Sequence, residues 1–84
     1  MKLLAKSFAS FDNEKDIANF LRDLMTLAEI KEFENRLKIA KLLLKKTKSY
    51  LEIAKEVGTS TTTVTRVAHW LFNGEGGYQK LLKA

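Results

Sequence analysis

Apolar residues recur along this chain at the three- and four-residue spacing of amphipathic helices, and a capping residue precedes most of the runs. Ile17, Phe20, Leu21 and Leu24 make one stripe, entered through Asp12 or Asn13 as a cap, with Glu14 and Asp16 in the first turn. Thr26 followed by Glu29 is a capping box, so a second helix should start there, with Ile30 and Phe33 inward. Its apolar pattern resumes at Leu37, Ile39, Ala40, Leu42, Leu43 and Leu44. That stripe is wider than one neighbour covers in a small domain and predicts burial on two sides, one of them a second subunit. Ser49 with Glu52 is a further capping box, starting a short helix at Tyr50 whose apolar edge is Ile53, Ala54 and Val57. Ser60 can cap the next helix, in which Val64, Val67, Ala68 and Leu71 fall on one face. Asn73 and Gly74 end it, Glu75 to Gly77 turn the chain, and Tyr78 to Lys83 form a last short helix with Leu81 and Leu82 inward. Residues 1–11 show no clear cap and read as a loosely ordered N-terminal arm whose Leu3, Leu4, Phe8 and Phe11 could dock on a partner.

The two helices around Gly58 belong together. Glycine accepts a positive φ at a helix end without a Cβ clash, so the chain can reverse there. Ala54, four residues earlier, supplies the small side chain that two closely crossing helices need. Residues 49–72 therefore read as a helix-turn-helix, a unit that places its second helix in a DNA major groove. The outward face of that helix carries Thr61, Thr62, Thr65, Arg66 and His69. Threonine costs a helix about 0.5 kcal/mol against alanine, so this clustering does not serve helix stability. It does serve groove contact, because the hydroxyl can bond a phosphate or a base edge and the methyl can meet the methyl of thymine.

Charge sharpens this picture. The 84 residues carry a net charge of +5, which suits a polyanionic partner. Six basic residues (Arg36, Lys38, Lys41, Lys45, Lys46, Lys48) and no acidic ones lie between Arg36 and Lys48, directly before the helix-turn-helix. Lys45, Lys46 and Lys48 are the candidates for phosphate contact. The chain has no cysteine and no proline, and its four glycines all lie in the last third, so an all-helical single domain is expected. The missing cysteines exclude a disulfide framework and fit the cytoplasm. No apolar run approaches the roughly eighteen residues of a membrane span, and the start does not read as a secretory signal. His69 is the lone histidine, which leaves no metal site, and no nucleophile–base pair or cofactor motif is visible, so neither an enzyme nor a cofactor is expected.

The segments LMTLAEIKEFENRLKIAKLLL (Leu24–Leu44) and EIAKEVGTSTTTVTR (Glu52–Arg66) resemble the Trp repressor superfamily, and more closely its YerC/YecD-type branch. The resemblance implies six short helices in an intertwined homodimer that presents two recognition helices to successive major grooves of double-stranded DNA. It carries the DNA-contacting positions onto Tyr50 and Leu51, and onto Thr61, Thr62 and Thr65. The family's ligand pocket maps onto Thr26, Arg36, Thr63 and Arg66, with the two arginines flanking an indole. That pocket also uses a glycine and, three residues later, a serine, whose places are taken here by Val67 and Trp70. Both replacements fill space and remove polar capture. Control by free tryptophan is therefore not inherited with the fold, and a small-molecule effector is in doubt.

Arg66 ends the threonine face and fits a phosphate ligand or pocket wall, whereas Glu32 offers Arg36 an ordinary i,i+4 ion pair. Trp70, a large aromatic at helical spacing, reads as a core residue, with insertion between Arg36 and Arg66 as the alternative. Two functions follow. The first is a sequence-specific transcriptional regulator, a repressor by resemblance, acting as a homodimer without tryptophan as corepressor. The second is a protein-interaction module that keeps the helix-turn-helix shape without specific DNA binding.

Overall fold

Six helices follow one another in the computed structural model, which describes residues 1–83 and contains no strand among them: α1 (Lys2–Ala9), α2 (Glu14–Leu24), α3 (Leu27–Lys45), α4 (Tyr50–Val57), α5 (Thr61–Asn73) and α6 (Gly77–Lys83). Their starts follow the side-chain chemistry. The Asn13 side chain accepts from the Asp16 N–H at 2.9 Å and opens α2. Thr26 and Glu29 exchange both bonds of a capping box, at 2.9 and 3.1 Å. Ser49 and Glu52 do the same at 2.8 and 3.1 Å, and Ser60 Oγ takes the Thr63 N–H at 3.2 Å. Each cap satisfies backbone donors that have no partner inside the helix.

The chain divides into two units within α3, one comprising Met1–Lys31 and the other everything from Glu32 onward. All fully buried residues lie in the second unit: Ile39, Ala40 and Leu43 of α3, Ile53 and Ala54 of α4, and Val64, Val67, Ala68 and Leu71 of α5. Leu42, Leu44, Val57, Tyr78 and Leu82 pack on that cluster from its edges. The Gln79 side chain donates to the Leu71 carbonyl at 3.1 Å and ties α6 to the end of α5.

The first unit is held differently. Its aromatic side chains meet around Phe20, which lies 5.7 Å from Phe8 in an edge-on arrangement and 5.3 Å from Phe11. No residue of Met1–Lys31 is buried. Residues 2–9 form α1 instead of a loose arm. Its N-terminus has no side-chain cap, which is why no start was legible there, and Ser7 and Ser10 bond back to the carbonyls of Leu3 and Lys6. Several positions expected to face inward lie open. Leu24, Phe33 and Leu81 are exposed, and Trp70, expected in the core, is 60% exposed. Their helical phase is as expected, but among the described residues of their own units none covers them.

The two capping-box carboxylates carry the clearest electrostatic signature. Hydrogen bonds to Glu52 from the Ser49 backbone N–H, and then from the Ser49 hydroxyl, hold its pKa below the ordinary 4.5. Glu29 is lowered in the same way by the backbone and then the hydroxyl of Thr26. A depressed folded pKa adds stability that is present above the ordinary value and lost as pH falls through the lowered one. Glu52→Gln keeps a capping amide but removes the titration. Thermal melts should show this variant below the wild type at neutral pH, with the gap closing as pH falls below 4.5. A gap independent of pH would contradict the capping assignment.

Candidate nucleic-acid interface

The geometry of the site begins at Gly58. With φ 82° and ψ 42° it occupies the left-handed region that favours glycine, and its N–H and that of Thr59 both reach the Ala54 carbonyl at 2.9 Å. The chain leaves α4 through this turn and enters α5 three residues later, so α4 and α5 pack through Ile53, Ala54, Val64, Val67, Ala68 and Leu71. Burial of these positions leaves Thr61, Thr62, Thr65, Arg66 and His69 of α5 exposed on the opposite side.

The threonine hydroxyls are not equivalent. Thr63 is half-buried, and its Oγ1 lies 3.2 Å from Ser60 Oγ in the cap of α5. Thr65 Oγ1 donates to the Thr61 carbonyl at 3.0 Å. The hydroxyls of Thr61 and Thr62 have no hydrogen-bond partner among the described residues. At the start of α4, Tyr50 is exposed and Leu51 is 55% exposed, so both side chains are open to a partner.

The basic block divides as well. Lys48 pairs with Glu56, tying the segment before α4 to the helix body. Lys45, the last residue of α3, and Lys46 just beyond it are exposed and form no ion pair among the described residues. Five basic and five acidic residues lie in Met1–Lys31, against ten basic and five acidic from Glu32 onward, so the whole net charge of +5 resides in the unit that holds α4 and α5.

A cleft of about 540 Å³ opens beside α5, lined by Glu32, Arg36, Thr63, Arg66, Val67, Trp70 and Tyr78. It brings together five of the six residues expected at a ligand pocket. The sixth, Thr26, belongs to the other unit, where its hydroxyl caps α3. The Arg36 guanidinium is held 2.7 Å from Glu32 and lies over the Phe33 ring, 5.1 Å from its centre. The Trp70 ring stands edge-on to His69 at 5.0 Å instead of stacking on either arginine. Glu32 had been legible only as an ion-pair partner. Tyr78 was not legible at all as a cleft residue, because it arrives there only through the docking of α6, which Gln79 ties to the end of α5.

The sequence matches the family described as Trp repressor protein over residues 1–84. The chain belongs to that family. It is 33% identical over 79 residues to an uncharacterized Bacillus subtilis protein, YerC, covering 94% of this chain and 75% of that one. Among solved Trp-repressor-like structures, it resembles a Staphylococcus aureus protein provisionally described as a Trp repressor, with TM-score 0.85 and 32% identity over 98% of this chain and 81% of that one. It resembles a TrpR-like protein from Eubacterium eligens equally well, with TM-score 0.86 and 30% identity over 98% and 84% of the two chains. The six-helix Trp-repressor-like fold is thereby shared with proteins related in sequence. Among the described residues, no helix is long and apolar enough to cross a membrane.

The turn that orients α5 gives a direct test of this geometry. An added Cβ at Gly58 meets no atom within 4 Å, so the cost of Gly58→Ala is conformational and not steric. Urea denaturation should show a loss of about 1–2 kcal/mol, the usual penalty for a left-handed non-glycine residue. An unchanged midpoint would contradict the left-handed turn.

Proposed function

We propose that this Trp repressor family member is a sequence-specific DNA-binding transcriptional regulator acting as a homodimer, with residues 1–84 working as one DNA-binding domain. The observation that carries the reading is the pairing of an exposed Thr61, Thr62, Thr65 and Arg66 face with the net charge of the chain, both in the unit built on α4 and α5. In this reading α5 enters the major groove, where threonine hydroxyls, threonine methyls and a guanidinium can meet base edges and phosphates. Tyr50 and Leu51 contact the duplex beside it. Lys45 and Lys46 neutralise phosphates, and Lys48 joins them by exchanging its Glu56 partner for one. Repression, and not activation, is the outcome to which the family points.

The homodimer follows from what the chain leaves open. Leu3, Leu4, Phe8, Leu24 and Leu27 are exposed in a unit without one buried residue, and Phe33, Leu37, Trp70 and Leu81 are exposed in the other. This is more large apolar surface than a small monomer commonly presents, and a second copy offers the same surface in return. An intertwined pair covers it. A protein-interaction module without DNA affinity draws on the same apolar residues, but it leaves the segregated positive charge without a purpose.

We further propose that free tryptophan is not the corepressor. The cleft beside α5 carries Val67 and Trp70 where the family pocket uses a glycine and a serine, and Arg36 is already engaged by Glu32 and Phe33. Approach to the helix backbone is blocked by a β-branched side chain, and the hydroxyl that would take an amino group is missing.

Binding to duplex DNA should fall steeply with salt and remain unchanged on addition of L-tryptophan. Changing Lys45, Lys46 and Lys48 together to alanine should weaken binding to all duplexes alike and reduce the salt slope by about 0.9 for each phosphate no longer neutralised. A binding curve indifferent to this triple change would remove the basic block from the interface, and absence of duplex affinity at low salt would favour the interaction module.

The dimer has its own measurement. Sedimentation at micromolar concentration should return twice the chain mass, and replacing Leu3 and Phe8 by serine should shift the population toward monomer. A stable, well-folded wild-type monomer would contradict the proposed assembly.

A further inference from the structure

The hydrogen-bond state of the α5 threonines assigns each a different chemistry toward DNA. A threonine hydroxyl has one donor and two acceptor lone pairs. At Thr65 the donor is spent, because Oγ1 points back along the helix to the Thr61 carbonyl at 3.0 Å. With Oγ1 engaged on the preceding turn of the helix, the methyl group is the part of the exposed Thr65 side chain that is not committed to a hydrogen bond. Thr61 and Thr62 differ, since their hydroxyls have no partner among the described residues. Thr65 is four residues from Thr61 and three from Thr62, so the three side chains are neighbours on one face, with Arg66 beside Thr62 at the same spacing. The exposed face therefore holds two hydroxyls without a partner among the described residues, one threonine whose hydroxyl donor is spent, and one guanidinium.

We propose that Thr65 is a specificity-determining residue that recognises thymine through its methyl group, while Thr61 and Thr62 supply the polar contacts. The proposal rests on the DNA-binding reading and goes beyond it by naming the base and the chemical group. Among major-groove base edges, the C5 methyl of thymine is the apolar feature that a methyl can cover. Turning Thr65 to present its hydroxyl instead would break an existing hydrogen bond inside the helix, whereas methyl contact leaves that bond intact. The lone pairs of Thr65 Oγ1 could still accept from the amino group of adenine or cytosine, which is the competing chemistry. Valine and serine separate the two. Valine keeps a branched methyl surface and has no lone pair, and serine keeps the hydroxyl without the methyl.

The test uses the full chain and the duplex it prefers after selection from a random pool. Each thymine of that duplex is then replaced in turn by deoxyuridine, which lacks only the C5 methyl. One thymine per half-site should be sensitive, with binding weakened about fourfold, the worth of one buried methyl group. Thr65→Val, whatever its overall affinity, should retain the sensitivity to deoxyuridine at that thymine. Thr65→Ser should bind about fourfold more weakly and be indifferent to deoxyuridine at that position, the coupling expected of two groups that touch. The uridine series changes only the DNA, so it reads out independently of any effect of the variants on folding. A valine variant that loses selectivity while the serine variant keeps it would overturn methyl recognition in favour of the hydroxyl. A duplex with no sensitive thymine, or one whose sensitivity persists unchanged in Thr65→Ser, would overturn the assignment to Thr65 while leaving DNA binding intact. Selection that enriches no duplex would overturn the DNA-binding reading and this assignment with it.

Discussion

The left-handed turn at Gly58 is the constraint on which the second unit depends. It sends α5 back across α4, so that Ile53 and Ala54 meet Val64, Val67, Ala68 and Leu71. Ala54 matters because a larger side chain would hold the helices apart, and close packing is what a short two-helix unit relies on for its stability. Once those α5 positions are buried, helical geometry leaves Thr61, Thr62, Thr65 and Arg66 outside. The cleft and α6 are built on the same helix, since Val67 and Trp70 line the cleft and the Leu71 carbonyl receives Gln79. One backbone conformation thus underlies both the core and the face proposed for recognition.

The two units divide the chemistry of the chain. The unit from Met1 to Lys31 is electrically balanced and buries nothing completely, although it is rich in leucine and phenylalanine. Its aromatic contacts around Phe20 organise α1 and α2 but do not cover Leu3, which is 81% exposed. Hydrophobic burial of order 25 cal/mol per Å² is the main source of stability in small domains, so an uncovered apolar unit of this size is a strong argument for self-association. The unit from Glu32 holds the net charge and the core. Assembly and nucleic-acid contact are in this reading the tasks of different parts of the chain.

Most helix starts and the α4–α5 core were legible in the sequence because each depends on neighbours in the chain. The capping boxes Thr26–Glu29 and Ser49–Glu52, the caps Asn13 and Ser60, and the turn at Gly58 are all local chemistry, and the four buried positions of α5 follow from its period. What escaped depends on tertiary context. Helix α1 begins without a side-chain cap, so no residue type marked it. Trp70 carries a strong apolar signal that says nothing about whether a neighbour exists to cover it, and among the described residues it stays 60% exposed. The cleft was legible as Arg36, Thr63, Arg66, Val67 and Trp70 only through family resemblance, and Tyr78 joins it by the docking of α6, which no local pattern announces. The split between Lys48, paired with Glu56, and Lys45 and Lys46 likewise required the path of the chain between α3 and α4.

The central claim, that the exposed N-terminal portions of α4 and α5 meet the DNA, is tested most directly by mapping backbone amide resonances of the labelled protein during titration with a selected duplex. The largest changes should fall at Tyr50, Leu51, Thr61, Thr62, Thr65 and Arg66, with smaller ones at Lys45 and Lys46, and the amides of α1 and α2 should stay in place. Changes concentrated in Met1–Lys31, or spread evenly over the chain with none at α5, would contradict the account.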